Sequence, residues 1–235
     1  MRRLGLIGGM TWHSTVDYYR LINAGVQERL GGSHSADLVM LSVDFGPVED
    51  MQGRGDWDAM GRLMAGAARS LETAGAEALV ICANTMHRLA DDIVGAVKIP
   101  LIHIGDATAA VIKENGLRTI GLLGTRYTME MDFYRERLEK THGLTVLIPE
   151  EPGRTAVHDI IYKELAFGDI REGSRRTYVA IIEDLKKRGA QGVILGCTEI
   201  PLLIREKDSP IPVFDTTALH AAAAVEFSLA GYTRP

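Results

Sequence analysis

Cysteine is scarce in this sequence: Cys82 and Cys197 are the only two among 235 residues. Two thiols cannot build a disulfide scaffold, and no export signal is recognisable, so both are expected to be reduced. The apolar run after Met1-Arg2-Arg3 is too short for such a signal and is soon broken by His13, Asp17 and Arg20. No apolar stretch approaches the ~18–20 residues of a membrane-spanning helix. Excess positive charge is also missing. A formal net charge of -5 weighs against nucleic acid, whose binding needs a basic face. These absences lead to the expectation of a cytoplasmic, soluble protein with no nucleic-acid and no membrane partner.

Familiar catalytic signatures are absent as well. The chain has no His-Glu-x-x-His, no Cys-x-x-Cys and no Gly-x-Ser-x-Gly. Its seven histidines therefore carry no metal or triad spacing. His13, His34, His142 and His158 read as surface or loop positions, His220 as part of the last helix, and His87 as a turn residue. His103 reads as structural, with orientation of nearby groups as the alternative. Gly5-Leu6-Ile7-Gly8-Gly9 suggests a nucleotide loop but lacks the full Gly-x-Gly-x-x-Gly. Asp44 also comes too late for the ribose-binding acid, expected about 20 residues on.

What the sequence does contain is a repeat. Gly5-Leu6-Ile7-Gly8-Gly9 matches Gly121-Leu122-Leu123-Gly124-Thr125, and Asp17-Tyr18-Tyr19-Arg20 matches Asp132-Phe133-Tyr134-Arg135. Ala78 to Thr85 lies over Gly192 to Glu199, and Ile99-Pro100 over Ile211-Pro212. The matches keep chain order and nearly one offset, far longer than a solenoid period of roughly 20–50 residues. A duplicated half is the reading. Apolar runs alternate with helical patterns, as in α/β folds with parallel sheets. Strands are expected at Leu4–Ile7, Leu38–Val43, Ala78–Ile81, Leu101–Ile104, Thr119–Leu123, Thr145–Ile148, Val193–Leu195 and Val213–Phe214. Helices are expected at Ser14–Leu30, Trp57–Thr73, Met129–Lys140, Ser174–Lys187 and Thr217–Leu229. The fold class is thus α/β, with two pseudo-symmetric parallel-sheet domains and an active site expected in the cleft between them.

Ligands of open parallel sheets bind beyond the carboxyl ends of the strands. Four such ends carry polar turns: Gly8-Gly9-Met10-Thr11, Ala83-Asn84-Thr85, Gly124 to Thr128, and Cys197-Thr198-Glu199. Asn84, Thr85 and Thr198 suit a carboxylate, and each could equally cap a following helix. Cys197, between Gly196 and Thr198, is placed for reactivity, whereas Cys82 follows an apolar run and should face away from Ala83. The repeat pairs Cys197 with Ala83. One half has a thiol where the other has a methyl group.

These residues carry a family resemblance over essentially the whole chain. Gly8-Gly9-Met10-Thr11-Trp12, Asn84-Thr85-Met86-His87, Gly124-Thr125-Arg126-Tyr127-Thr128, Gly196-Cys197-Thr198-Glu199 and Ile211 to Thr216 together resemble the cofactor-independent aspartate/glutamate racemases. The likeness is to the bacterial broad-specificity, L-selective branch. It implies domains at 1–98 plus 212–235 and at 99–211, a dicarboxylic amino acid as substrate, no cofactor, and a homodimer. By the same resemblance Cys197 is the acid/base on the L-face and position 83 is that of its missing counterpart. Asn84, Thr85 and Thr198 match the family's carboxylate-holding residues, and Met10 and Gln52 line its pocket; Thr128 and Glu199 are further substrate-binding candidates, with Lys163 and Arg54 candidates for the distal carboxylate. Glu199 either orients or deprotonates the thiol. Ala83 departs from the family, where cysteine or threonine is usual. Another group or a water protonates that face, or inversion is slow, or the alanine is an introduced substitution that traps substrate. A single-thiol decarboxylase and a non-catalytic amino-acid-binding protein stay open as alternatives.

Overall fold

Each short apolar run forms a strand in the computed structural model, which describes residues 1–232. The strands are β1 (Leu4–Gly8), β2 (Leu38–Ser42), β3 (Ala78–Ile81), β4 (Leu101–Ile102), β5 (Thr119–Gly124), β6 (Thr145–Leu147), β7 (Gly192–Gly196) and β8 (Val213–Asp215). The helices are α1 (Trp12–Leu30), α2 (Phe45–Arg54), α3 (Trp57–Thr73), α4 (Ala90–Val94), α5 (Ile104–Glu114) and α6 (Arg126–Glu130). They continue with α7 (Asp132–Glu136), α8 (Gly153–Lys163), α9 (Glu172–Lys187), α10 (Ile200–Leu203) and α11 (Thr216–Leu229).

The strands form two parallel sheets of four, ordered β2-β1-β3-β4 and β6-β5-β7-β8. One topology occurs twice, which is what a duplicated half requires. Two compact units follow: Met1–Ile104 with the chain from His220 onward, and Gly105–Leu219. The sequence reading divides the chain at 98/99 and 211/212. Both divisions come one strand too early. β4 pairs with β3 and β8 with β7, so each crossing follows its strand, at 104/105 and 219/220.

In unit 1 the central strands are buried on both faces, as parallel sheets covered by helices must be. Leu79 and Ile81 pack with Val48 of α2, Met60 and Met64 of α3, and Ile93 of α4. Val80 and Ala78 pack on the other face with Tyr18, Ile22 and Val26 of α1 and with Ala221, Ala224 and Val225 of α11. In unit 2, Leu123, Val193 and Leu195 pack against α8, α9 and α10 through Val157, Tyr178, Ile182 and Ile200.

Two local expectations differ. The helix expected over Met129–Lys140 is broken, because Met131 is extended (φ -82, ψ 145) between α6 and α7. The first helix begins at Trp12, with neither Ser14 nor Thr15 capping it. The Ser14 and Thr15 hydroxyls donate to the Thr11 carbonyl instead.

Candidate active site

In each sheet the chain moves outward from its second-listed strand in both directions, so a switch point lies between β1 and β3 and another between β5 and β7. Loops beyond such a point part and leave a crevice for ligands. The four polar turns picked out in the sequence flank these two points.

In unit 1, β1 ends against Gly9, whose φ is +97 and whose hypothetical Cβ would lie 2.2 Å from the Val43 carbonyl oxygen. Only glycine fits that approach. The Gly9 N–H donates to Thr15 Oγ1 at 2.8 Å, and the chain turns so that Met10 is buried in one apolar cluster with Ala83 and Met86. Strand alternation sends Cys82 to the opposite face, among Leu4, Leu6 and Tyr18. Burial there pushes its thiol far above the ordinary range. Asn84 and Thr85 are buried at the head of a 3-10 turn (Thr85–Leu89), and the Asn84 side chain makes no capping bond. Gln52, on α2, is buried, and its Nε2 has no hydrogen-bond partner among the described residues. That amide retains donors for a ligand.

Behind this turn lies a polar network that sequence spacing did not reveal. His87 Nδ1 lies 2.8 Å from the Ala83 carbonyl oxygen, and the Ile104 N–H donates to His87 Nε2 at 3.2 Å. Those partners fix the neutral Nδ1–H tautomer. Tyr18 donates its hydroxyl to His220 Nδ1 at 2.7 Å, and His220 Nε2–H donates to the Ile102 carbonyl at 2.7 Å. The His87 ring stands 4.6 Å from His103 and 5.5 Å from His220. Burial, then the neighbouring His103 and His220, hold His87 well below the usual imidazole pKa. Burial brings His220 down to about 4.

In unit 2, Gly124 and Gly196 end β5 and β7 in register. A Cβ on either would come within 2.9 Å of a neighbouring backbone oxygen. Thr128, fully buried, packs across this pair, and Thr125 Oγ1 caps α6 by accepting the Thr128 N–H at 3.3 Å. Cys197 follows immediately. Its thiol donates to Glu199 Oε2 at 2.9 Å, and Thr198 Oγ1 donates to the same oxygen at 2.7 Å. Burial, then the Glu199 charge and hydrogen bond, raise the Cys197 pKa well above the ordinary thiol value. Backbone N–H groups of Glu199 and Thr198 pull the other way. Tyr178, also missed in the sequence, is fully buried and donates to the Val157 carbonyl at 3.2 Å; burial, then the acidic groups Cys197, Glu164 and Glu199, raise its phenol well above the ordinary range. An aromatic on the buried face of α9 gave no signal of that proximity.

The structure thus groups Met10, Ala83, Asn84 and Thr85 in unit 1, with buried Gln52 on a helix that packs into the same cluster. It groups Thr128, Cys197, Thr198 and Glu199 in unit 2. It does not bring Lys163 into the buried group: that ammonium is 71% exposed and bonds Asp159 at 2.9 Å on its own helix. Arg54 is exposed in the last turn of α2. Among the described residues no helix is long and apolar enough to cross a membrane, and no group of three or more His, Cys, Asp or Glu could hold a metal.

Comparison with known proteins agrees with this fold. A family model described as Asp/Glu/Hydantoin racemase matches residues 7–224. The broad specificity amino-acid racemase RacX of Bacillus subtilis is 24% identical over 97% of this chain and 98% of its own. The crystal structure of a Yersinia pestis protein assigned as an Asp/Glu racemase is 54% identical over 97% of this chain and 100% of that one, with a TM-score of 0.93. The crystal structure of PH1733, an aspartate racemase homologue from Pyrococcus horikoshii OT3, is 35% identical over 97% and 99%, with a TM-score of 0.85.

Proposed function

Since the chain belongs to the Asp/Glu/hydantoin racemase family, we propose that it racemises aspartate or glutamate without a cofactor, with Cys197 moving the α-proton. The observation that carries this is the buried Cys197–Glu199 pair beyond β7. A thiol held as a donor to a carboxylate is a poor nucleophile but a ready proton-transfer partner. Glu199 takes the thiol proton, the N–H groups of Thr198 and Glu199 steady the thiolate, and the thiolate removes the α-proton from one face. Positioned proton transfer of this kind contributes typically ~10²–10⁴-fold to rate.

In unit 1 the proposed carboxylate holders are Asn84, Thr85 and Gln52, and in unit 2 they are Thr128 and Thr198. For the distal carboxylate we propose that Lys163 leaves Asp159, an exposed pair worth little to stability. Ala83, the position the repeat pairs with Cys197, offers a buried methyl group and no proton. Inversion then depends on water reaching that face, and the protein exchanges the α-proton faster than it inverts the centre. Ala83 also favours the second reading, a protein that binds the amino acid and does not invert it.

Incubating each enantiomer of aspartate and glutamate with the protein, with no cofactor added, and resolving the products chirally separates the two. Appearance of the opposite enantiomer supports the racemase. Saturable binding with neither inversion nor α-proton exchange in D₂O over long incubation supports the second reading. We further propose a homodimer in the cytoplasm, the assembly to be measured by sedimentation equilibrium.

A further inference from the structure

We propose that His87 is the positioning residue of the substrate-holding turn, locking Ala83-Asn84-Thr85 to the segment by which the chain leaves unit 1. Its identity as a substrate turn rests on the racemase reading. The lock itself stands on the geometry.

One residue holds two consecutive carbonyls. The His87 backbone N–H donates to the Asn84 oxygen at 3.1 Å, and its ring Nδ1–H donates to the Ala83 oxygen at 2.8 Å. The other ring nitrogen accepts the N–H of Ile104 at 3.2 Å, the last residue before the chain crosses into unit 2. A 3-10 turn closes without an imidazole, so neither ring bond is needed to form it. Their combined effect is to fix the backbone from which Asn84 and Thr85 project, in a site 98% shielded from water at His87 itself. The imidazole is uncharged in this arrangement, since a second N–H would face the Ile104 donor. His220 secures the same neighbourhood from α11, through Ile102 and Tyr18. Position 83 carries no ionisable side chain. Its carbonyl is still held in place.

Three substitutions test this, because the two ring bonds can be restored separately. His87→Leu removes both. His87→Asn puts an amide N–H where Nδ1–H was and restores the Ala83 bond. His87→Gln reaches the Nε2 position and restores only an acceptor for Ile104. With L-aspartate as the probe, His87→Leu is expected to raise KM about tenfold, the scale of a lost buried hydrogen bond, with kcat within threefold. His87→Asn is expected to return KM to within threefold of the parent, and His87→Gln is not. Unchanged KM in His87→Leu, or equal failure of all three with loss of folded protein, overturns the proposal. If the parent protein turns over neither aspartate nor glutamate, the racemase reading fails by itself. Amide hydrogen exchange at Asn84 and Thr85 then decides the lock. Faster exchange in His87→Leu, reversed in His87→Asn, supports it, and equal exchange in all variants overturns it.

Discussion

At Cys197 opposite pressures meet. Two backbone N–H groups favour the thiolate, while burial and the adjacent Glu199 carboxylate favour the thiol more strongly. A base whose pKa is raised is mostly protonated at neutral pH, so proton abstraction should quicken as pH rises. We expect the rate of Cys197 alkylation to climb with pH to a midpoint above that of a free thiol, about 8.5. In Glu199→Gln the midpoint should move down, since a like charge is removed, yet not to the free-thiol value, since burial persists. The same variant should lose about 10²-fold or more in α-proton exchange if Glu199 relays the proton. A midpoint that stays put would separate Glu199 from the thiol. At position 83 we expect Ala83→Cys or Ala83→Thr to raise inversion relative to exchange. The added atoms enter a buried cluster, with an overpacking penalty of about 1–3 kcal/mol. Chiral analysis beside isotope wash-in measures the ratio.

Among the elements, strands were legible and helices less so. All eight strands follow short apolar runs, and their ends are right to within two residues. Gly46 and Pro47 stand in the first turn of α2 and mask its helical pattern in the sequence. In the structure Pro47 falls where a missing N–H does no harm. The four polar turns were legible because each follows an apolar run and carries a threonine, three of them beside a glycine. The histidine network was not, since Tyr18 and His220 are 202 residues apart and Ile102 and His220 118 apart. No local pattern encodes such pairs. The turn after β1 has a distinct test. Gly9→Ala places a methyl group against the Val43 carbonyl at a positive φ, a strain of about 1–3 kcal/mol before the clash is counted. Asp56→Ala, which removes only the cap bond to the Ala59 N–H at 3.1 Å, should cost about 1 kcal/mol. Denaturant melts should rank Gly9→Ala as clearly worse. An equal or smaller loss would contradict the close approach.

Across the whole molecule, acid should act first on unit 1. His87 and His220 are neutral and depressed in the folded chain, facing His103, Tyr18 and each other. An unfolded chain binds protons at these groups from about pH 6.5 downward, so the fold loses stability as pH falls from there towards about 4, where His220 titrates. The slope should approach ~1.4 kcal/mol per pH unit for each such group. Both tryptophans, Trp12 and Trp57, lie in unit 1, so their fluorescence reports this unit. Urea midpoints by tryptophan emission should drop between pH 7 and pH 5, and His220→Gln should flatten the drop. A midpoint independent of pH over that range would contradict a neutral buried network.

The most direct measurement is the α-proton signal of L-aspartate and L-glutamate in D₂O, followed by proton NMR with the parent protein and with Cys197→Ala. We expect the signal to wash out with the parent protein, faster than any D-isomer appears, and to persist with Cys197→Ala. Undiminished washout in Cys197→Ala, or none with either amino acid in the parent, would contradict proton transfer by Cys197.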